Sequence, residues 1–226
     1  MRAPISVVIP TLNAEAALAG CLATLYEGVQ AGLIRELIVV DGGSEDGTVH
    51  LAREAGAEVV STPPSRGGQL RAGCAQAKGA WLLVLHADTV LAQDWTDAVV
   101  AHLAGDKTGY FKLRFDAEGA MARFVAGWAN LRARLFGLPF GDQGLLVRRA
   151  TYEEVGGFQD IPLMEDVALI RALPGKAVAL DATLTTSAAR YQAQGWLRRG
   201  ARNMGLQLRY FLGASPEALA EAYRRK

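Results

Sequence analysis

The sequence predicts a single α/β domain built on a mostly parallel sheet, and three observations carry that prediction. Short apolar runs alternate with helical stretches through the first 90 residues, the pattern of right-handed βαβ crossovers. The chain has 226 residues, enough for one domain or for one with a small appendage. Hydrophobic residues make up 50% and charged residues 21%, so a sizeable core can be buried and disorder is excluded.

The elements follow in order. Ile5–Ile9 is a β-branched run stopped by Pro10, and the Ala/Leu-rich stretch 14–30 reads as a helix with Asn13 as its N-cap. Residues 36–40 form a second strand that ends at Asp41-Gly-Gly-Ser-Glu-Asp-Gly47, and 48–55 a helix closed by Gly56. A third strand at 58–60 and a helix at 67–77 lead to Trp81–Leu85, whose unbroken apolar run predicts burial on both faces. Beyond it, Tyr110–Phe115 alternates like an exposed strand, 120–136 is helical and 144–147 is a short strand. Leu197, Ala201, Met204, Leu208 and Phe211 form one helical stripe with Arg198, Arg202 and Arg209 on the neighbouring flank. Ser215-Pro-Glu-Ala then carries the signals of a last helix start.

Charge and cysteine content narrow the function classes. The formal net charge is +1, so no global field draws the chain to nucleic acid, and none is expected as a partner. One imbalance is local: residues 182–216 hold no Asp or Glu but five arginines, Arg190, Arg198, Arg199, Arg202 and Arg209. That segment reads as a solvated face, as a clamp for a diphosphate or anionic acceptor, or as a peripheral contact with anionic lipid through the basic C-terminal helix. The two cysteines, Cys21 and Cys74, form no CxxC and fit a reduced cytosolic setting. The longest stretch free of charged residues is Ala3–Ala14, short of the roughly 18 residues a membrane span requires. With no signal-peptide core either, a cytoplasmic protein is expected.

In open α/β sheets ligands bind beyond the carboxyl ends of the strands. Three strand ends are polar here: Pro10-Thr-Leu-Asn13, the loop from Asp41 to Thr48, and His86-Ala-Asp-Thr89. Singly, Asn13 reads as a helix cap, Asp41 as a loop organiser and Asp88 as a turn former. Together on one edge they point to a ligand site. The glycine loop at 42–47 lacks the Gly-x-Gly-x-x-Gly spacing of a dinucleotide fingerprint, and no Gly-x-x-x-x-Gly-Lys-Ser/Thr loop occurs.

On these motifs the chain resembles the family-2 glycosyltransferases, inverting nucleotide-sugar enzymes of the A-type glycosyltransferase fold. Pro10-Thr-Leu-Asn-Ala14 resembles the family's opening motif, and Val40-Asp-Gly-Gly-Ser-Glu-Asp-Gly-Thr48 the segment that grips the nucleotide. Arg66-Gly-Gly-Gln-Leu-Arg-Ala-Gly73 matches the next glycine-rich helix start, and Met164-Glu-Asp166 the pair that carries the catalytic base. A narrower likeness joins His86-Ala-Asp-Thr89, Gly141-Asp-Gln-Gly144 and Thr186-Ser-Ala-Ala-Arg190 to a compact bacterial subgroup labelled as arsenosugar-biosynthesis glycosyltransferases.

The resemblance implies a division into a nucleotide-binding half (1–90), an acceptor and catalytic half (91–195) and C-terminal helices (196–226). It implies Asp166 as general base beside Glu165, and a nucleotide held by Pro10, Thr11, Asn13, Asp41, Gly42, Asp46, Arg66 and Arg71. His86, Asp142, Gln143 and Arg190 are the implied donor and acceptor contacts. The donor is a nucleotide-sugar, expected to be a UDP-sugar, and the acceptor is unidentified. Two positions depart from the family. His86-Ala-Asp88 replaces Asp-x-Asp, leaving Asp88 to hold Mn2+ or Mg2+ together with the diphosphate, and His86 would suit Mn2+ better than Mg2+. Ala14 stands where an acid is usual, with Glu15 next.

Two rival readings remain at this stage. A sugar nucleotidyltransferase wants a basic glycine-rich loop after the first strand, and Pro10-Thr-Leu-Asn13 is not one. A non-catalytic nucleotide-sugar-binding homologue would explain the missing carboxylate, but Asp88 and Asp166 are intact.

Overall fold

A computed structural model describes residues 3–224. One eight-stranded sheet runs through it in the order β3-β2-β1-β4-β7-β6-β8-β5. Strands β1 (Ile5–Thr11), β2 (Ile34–Asp41), β3 (Glu58–Ser61) and β4 (Trp81–Val84) form a parallel half, connected by α1 (Glu15–Gln30), α2 (Thr48–Glu54) and α3 (Arg66–Gln76). Strand β7 (Leu145–Arg148) then joins β4 antiparallel. This reversal starts β7 where β4 ends, so the turn before β7 lies on the edge that bears the ends of the parallel strands. Beyond β7 the sheet is mixed: β6 (Gly109–Phe115) runs antiparallel to β7 and parallel to β8 (Val178–Thr186), and β5 (Val90–Leu91) closes the far edge.

Alternation along the strands builds two core layers. Ile5, Val7 and Ile9 face α1 and Leu83, while Val8, Ile38 and Val40 face the opposite layer with Leu70 and Leu82. Burial on both faces is what the unbroken apolar runs require. Gly73 lets α3 approach closely, since a Cβ there would meet Val8 Cγ1 at 2.6 Å. Cys21 and Cys74 are buried in opposite layers, and burial pushes both thiols up to about 12. A third, smaller cluster joins Met164 and Val167 to Leu206 and Leu219, tying α7 (Glu165–Ala172) to α9 (Trp196–Phe211) and α10 (Pro216–Arg224).

Three sequence expectations change, and one helix is added. Asn13 is not the cap of α1: Ala14 occupies that position, and Asn13 turns left-handed at φ 49° so that its Oδ1 accepts the Glu45 amide. Residues 110–115 are not an exposed strand, because β6 sits inside the sheet with only Lys112 and Arg114 of that run facing water. The element pattern between 85 and 110 also contains α4 (Trp95–Leu103), anchored by the buried Trp95. The apolar stripe of α9 points outward: Leu197, Met204, Leu208 and Phe211 are exposed, and Arg199 and Leu206 are buried instead.

Candidate active site

A cleft of about 630 Å³ opens at the carboxyl ends of β1 and β4 and is walled by the start of α7, by the turn 140–142 that precedes β7 and by α9. Its floor is the loop after β1, with Pro10, Thr11 and Asn13. Gln69 on α3 fixes that floor, its Nε2 donating at 2.8 Å to the carbonyls of both Thr11 and Val40.

Asp41 organises the adjoining loop. Its Oδ2 accepts the amides of Gly43 and Ser44 at 2.9 and 2.8 Å, and its Oδ1 accepts the Thr11 hydroxyl at 3.1 Å. Burial works against its charge, but the hydroxyl and amide of Ser44 with the Gly43 and Thr11 donors hold the carboxyl below its usual range. Asp46 does similar work one turn on, accepting the Thr48 amide and the Glu15 amide, each at 3.1 Å. Of the expected nucleotide contacts, Pro10, Thr11, Asn13 and Arg66 line the cleft, whereas Asp41, Gly42, Asp46 and Arg71 stand outside its wall.

Charge gathers around Arg66. Its Nε pairs with Glu165 Oε1 at 2.6 Å, and its Nη2 touches the His86 imidazole. Burial opposes the guanidinium, but Glu165, Asp166, Asp142 and Asp88 outweigh it and keep the group protonated. The same arginine, with burial and Arg190, holds His86 well below its ordinary value, so the imidazole is neutral. Burial pushes Glu165 up from the carboxylate range, and its side chain faces Arg66 rather than open solvent. Asp142 is pushed up to about 6 by burial, with Asp166 and Asp88 adding repulsion that Arg132 and Arg66 offset only in part.

Asp166 sits in the first turn of α7, where Met164 adopts φ 69° to start the helix. Its Oδ2 accepts the Gly141 amide and its Oδ1 the Val167 amide, both at 2.7 Å. The turn 141–143 brings the Gly141 backbone so close that a Cβ there would stand 2.8 Å from His86 Nε2 and 3.1 Å from Arg66 Nη2. Gln143, expected against the sugar or acceptor, is fully buried and absent from the cleft wall; its Nε2 donates to Asn130 Oδ1 at 3.3 Å. Arg132, which sequence reasoning missed, stacks on Phe140 with its guanidinium carbon 3.3 Å from the ring centroid.

The side of the cleft formed by α9 and α10 has its own cations. Arg190 and Arg199 both donate to the Tyr223 hydroxyl, at 3.4 and 2.9 Å, and all three line the cleft. Against the opposing effect of burial, these arginines hold the Tyr223 phenol below its ordinary value. Among the described residues no group of three or more His, Cys, Asp or Glu side chains is arranged to hold a metal alone. The donor set still suits a hard cation that completes its shell from diphosphate oxygens and water. Asp88 borders the cleft, and Asp142 has a buried Oδ1 without a hydrogen-bond partner.

Solved structures of other proteins share this fold. A TarS fragment (residues 1–349) from S. aureus superposes with a TM-score of 0.65 at 16% identity, covering 84% of this chain and 63% of that one. Glucosyl-3-phosphoglycerate synthase from Mycobacterium tuberculosis, in complex with Mn2+, UDP and phosphoglyceric acid, gives a TM-score of 0.56 at 24% identity, covering 81% and 69%. At these identities the likeness concerns the fold. A PGL/p-HBAD biosynthesis glycosyltransferase of Mycobacterium tuberculosis is 30% identical over 167 residues, 70% of this chain and 64% of the relative. The chain thus spans less than two thirds of the curated relatives it matches, and their names point to PGL/p-HBAD rather than arsenosugar biosynthesis. The model for "Glycosyl transferase family 2" matches residues 6–134, from β1 through most of α5 (Ala120–Phe136), and with more than half of its length matched the chain belongs to that family.

Proposed function

We propose that the chain transfers a sugar, with inversion, from a UDP-sugar to an acceptor hydroxyl, with Asp166 as general base. The observation that carries this reading is the Asp166 carboxylate: two backbone amides orient it, none of the ion pairs among the described residues includes it, and it lines the cleft shared with Asp88. A base must lie within hydrogen-bond reach of the proton it removes, and a carboxylate aimed into a cleft meets that need. TarS has been captured with UDP-GlcNAc and the glucosyl-3-phosphoglycerate synthase with UDP and Mn2+, which supports a UDP-sugar as donor.

Asp166 takes the acceptor hydroxyl proton as that oxygen bonds to the anomeric carbon from the face opposite the leaving diphosphate. The bond from the anomeric carbon to the diphosphate oxygen breaks, and the electron pair stays on the nucleotide. Bound Mn2+ or Mg2+ would neutralise charge on the diphosphate. Asp88 would hold that ion, with Asp142 beside it. Arg66 contributes fixed positive charge on the same side and costs no reorganisation, because Glu165 already orients it. Glu165 is therefore a positioning residue. Neutral His86 can accept or donate a hydrogen bond to the sugar without competing for the cation. The Arg190–Arg199 pair favours an acceptor with an anionic or phenolic group, since Tyr223 already presents a phenol there.

The deciding experiment compares Asp166→Asn with the wild type in donor binding by calorimetry and in donor turnover. Retained affinity with lost turnover supports an enzyme that uses Asp166. Unchanged turnover refutes the assignment.

A further inference from the structure

Two neighbouring helices are built inside out. Helix α5 buries Ala122, Ala126, Ala129 and Ala133 and presents its large residues to the outside: Phe124 is 65% exposed, Trp128 45%, Leu131 40% and Leu135 51%. Their spacing makes one continuous stripe. Helix α9, packed against α5, repeats the inversion, with Leu208 60% exposed, Leu197 69% and Met204 49% while Arg199 and Leu206 turn inward. Scattered exposed apolar residues are ordinary, but aligned stripes on adjoining helices mark an interaction surface.

Charge identifies the occupant. Neither α5 nor α9 contains an Asp or Glu, and Arg123, Arg134, Arg198 and Arg209 are exposed on the two helices. A second copy of the chain would set these arginines against their own kind. Large apolar side chains interleaved with arginines, with Trp among them, match the boundary between acyl chains and anionic headgroups.

We propose that the α5–α9 face docks the protein on an anionic lipid bilayer. Phe124, Trp128, Leu131 and Leu208 enter the acyl boundary while the exposed arginines meet lipid phosphates. The inner side of α9 carries Arg199, Asn203 and Leu206 into the cleft wall, so the docked helix separates the bilayer from the site. The proposal goes beyond the transfer reaction and does not depend on it.

Co-sedimentation of the full chain with phosphatidylcholine vesicles, with and without roughly 30% phosphatidylglycerol, tests the surface. The expected result is partitioning about tenfold or more stronger onto the anionic vesicles. The double variant Trp128→Glu/Leu208→Glu alters exposed positions only, and its circular dichroism and UDP affinity should match the wild type. It should lose about tenfold or more in partitioning, because its apolar contacts are gone. Brominated lipid should quench Trp fluorescence in the wild type and do so less in Trp128→Phe. The proposal is overturned if the wild type stays in the supernatant, or if the double variant binds vesicles as well as the wild type. It is also overturned if sedimentation velocity shows a dimer, broken by the same two substitutions, in a protein that ignores lipid.

Discussion

The Gly141 amide donates to Asp166 Oδ2 at 2.7 Å, and a methyl group on Gly141 would stand 3.3 Å from that same oxygen. A side chain at residue 141 would therefore crowd the hydrogen bond that orients the carboxylate proposed as the base. Gly141→Ala must displace either the turn or the His86 ring that its methyl would meet at 2.8 Å, and it crowds Arg66 and Asp166 as well. We expect a stability loss of about 1–3 kcal/mol in thermal unfolding. Turnover should fall by about tenfold or more through misalignment, with UDP affinity nearly unchanged.

Asp166→Asn keeps the shape of the side chain and removes its basicity. Turnover should drop by about 10²–10⁴-fold while donor affinity is kept. Rapid-quench measurement with a saturating donor separates this from a binding defect, and a wild-type rate would exclude the base assignment.

Asp88→Ala should abolish the enhancement of UDP binding by Mn2+ or Mg2+ and leave metal-free binding intact. Calorimetry in matched buffers with and without the ion reads both quantities. Equal metal dependence in the variant would move the ion elsewhere.

Asp142, at about 6 in the fold against 3.8 for an ordinary aspartate, binds its proton more tightly when folded. Its protonated form therefore favours folding fully below about pH 4, and that contribution is lost as pH rises through about 6. In metal-free buffer the stability difference between wild type and Asp142→Asn should change by about 1–3 kcal/mol across that window and be flat on either side. Denaturant titrations at pH 4 and pH 7 provide the comparison.

Asp41 carries the opposite sign. Its carboxylate is held below 3.8 by the Ser44, Gly43 and Thr11 donors, so its contribution is present at neutral pH and fades as pH falls below about 4. Asp41→Ala strands those donors and should cost about 2–3 kcal/mol at pH 7. Nucleotide affinity should fall with it, since the loop that borders Thr11 and Asn13 loses its anchor.

Legibility differed along the chain for physical reasons. Strands β1 and β4 and the second half of β2 are buried on both faces, so their residues are almost all apolar and easily read, and the residues after β1 and β4 are polar where they border the cleft. Strand β8 alternates buried Leu180, Ala182 and Leu184 with Asp181 and threonines, a weak signal that small residues dilute further. The stripe of α9 has the right period, but period alone does not say which side faces the core; the arginines inside the cleft reversed it. Arg199 and Tyr223 reach the cleft from separate helices, with Arg132 stacked behind its wall on Phe140, and only tertiary packing brings them together. Met164 was legible as part of a motif, yet its left-handed backbone leaves no mark in its side-chain type.

Helix α10 is the element most distant in sequence from the strand ends, yet Leu219 is fully buried in the cluster that also holds Met164 and Val167, the residues flanking Glu165 and Asp166. In the proposed mechanism, acceptor preference and base placement are thereby mechanically joined through α10. If the proposed acceptor contacts hold, swapping residues 196–224 between homologues should retarget acceptors while the nucleotide side stays constant. Grafts that place a small or polar residue at position 219 would slacken the start of α7 and lose rate with every acceptor alike, so chimera libraries should hold that position apolar and vary the residues around Arg190, Arg199 and Tyr223.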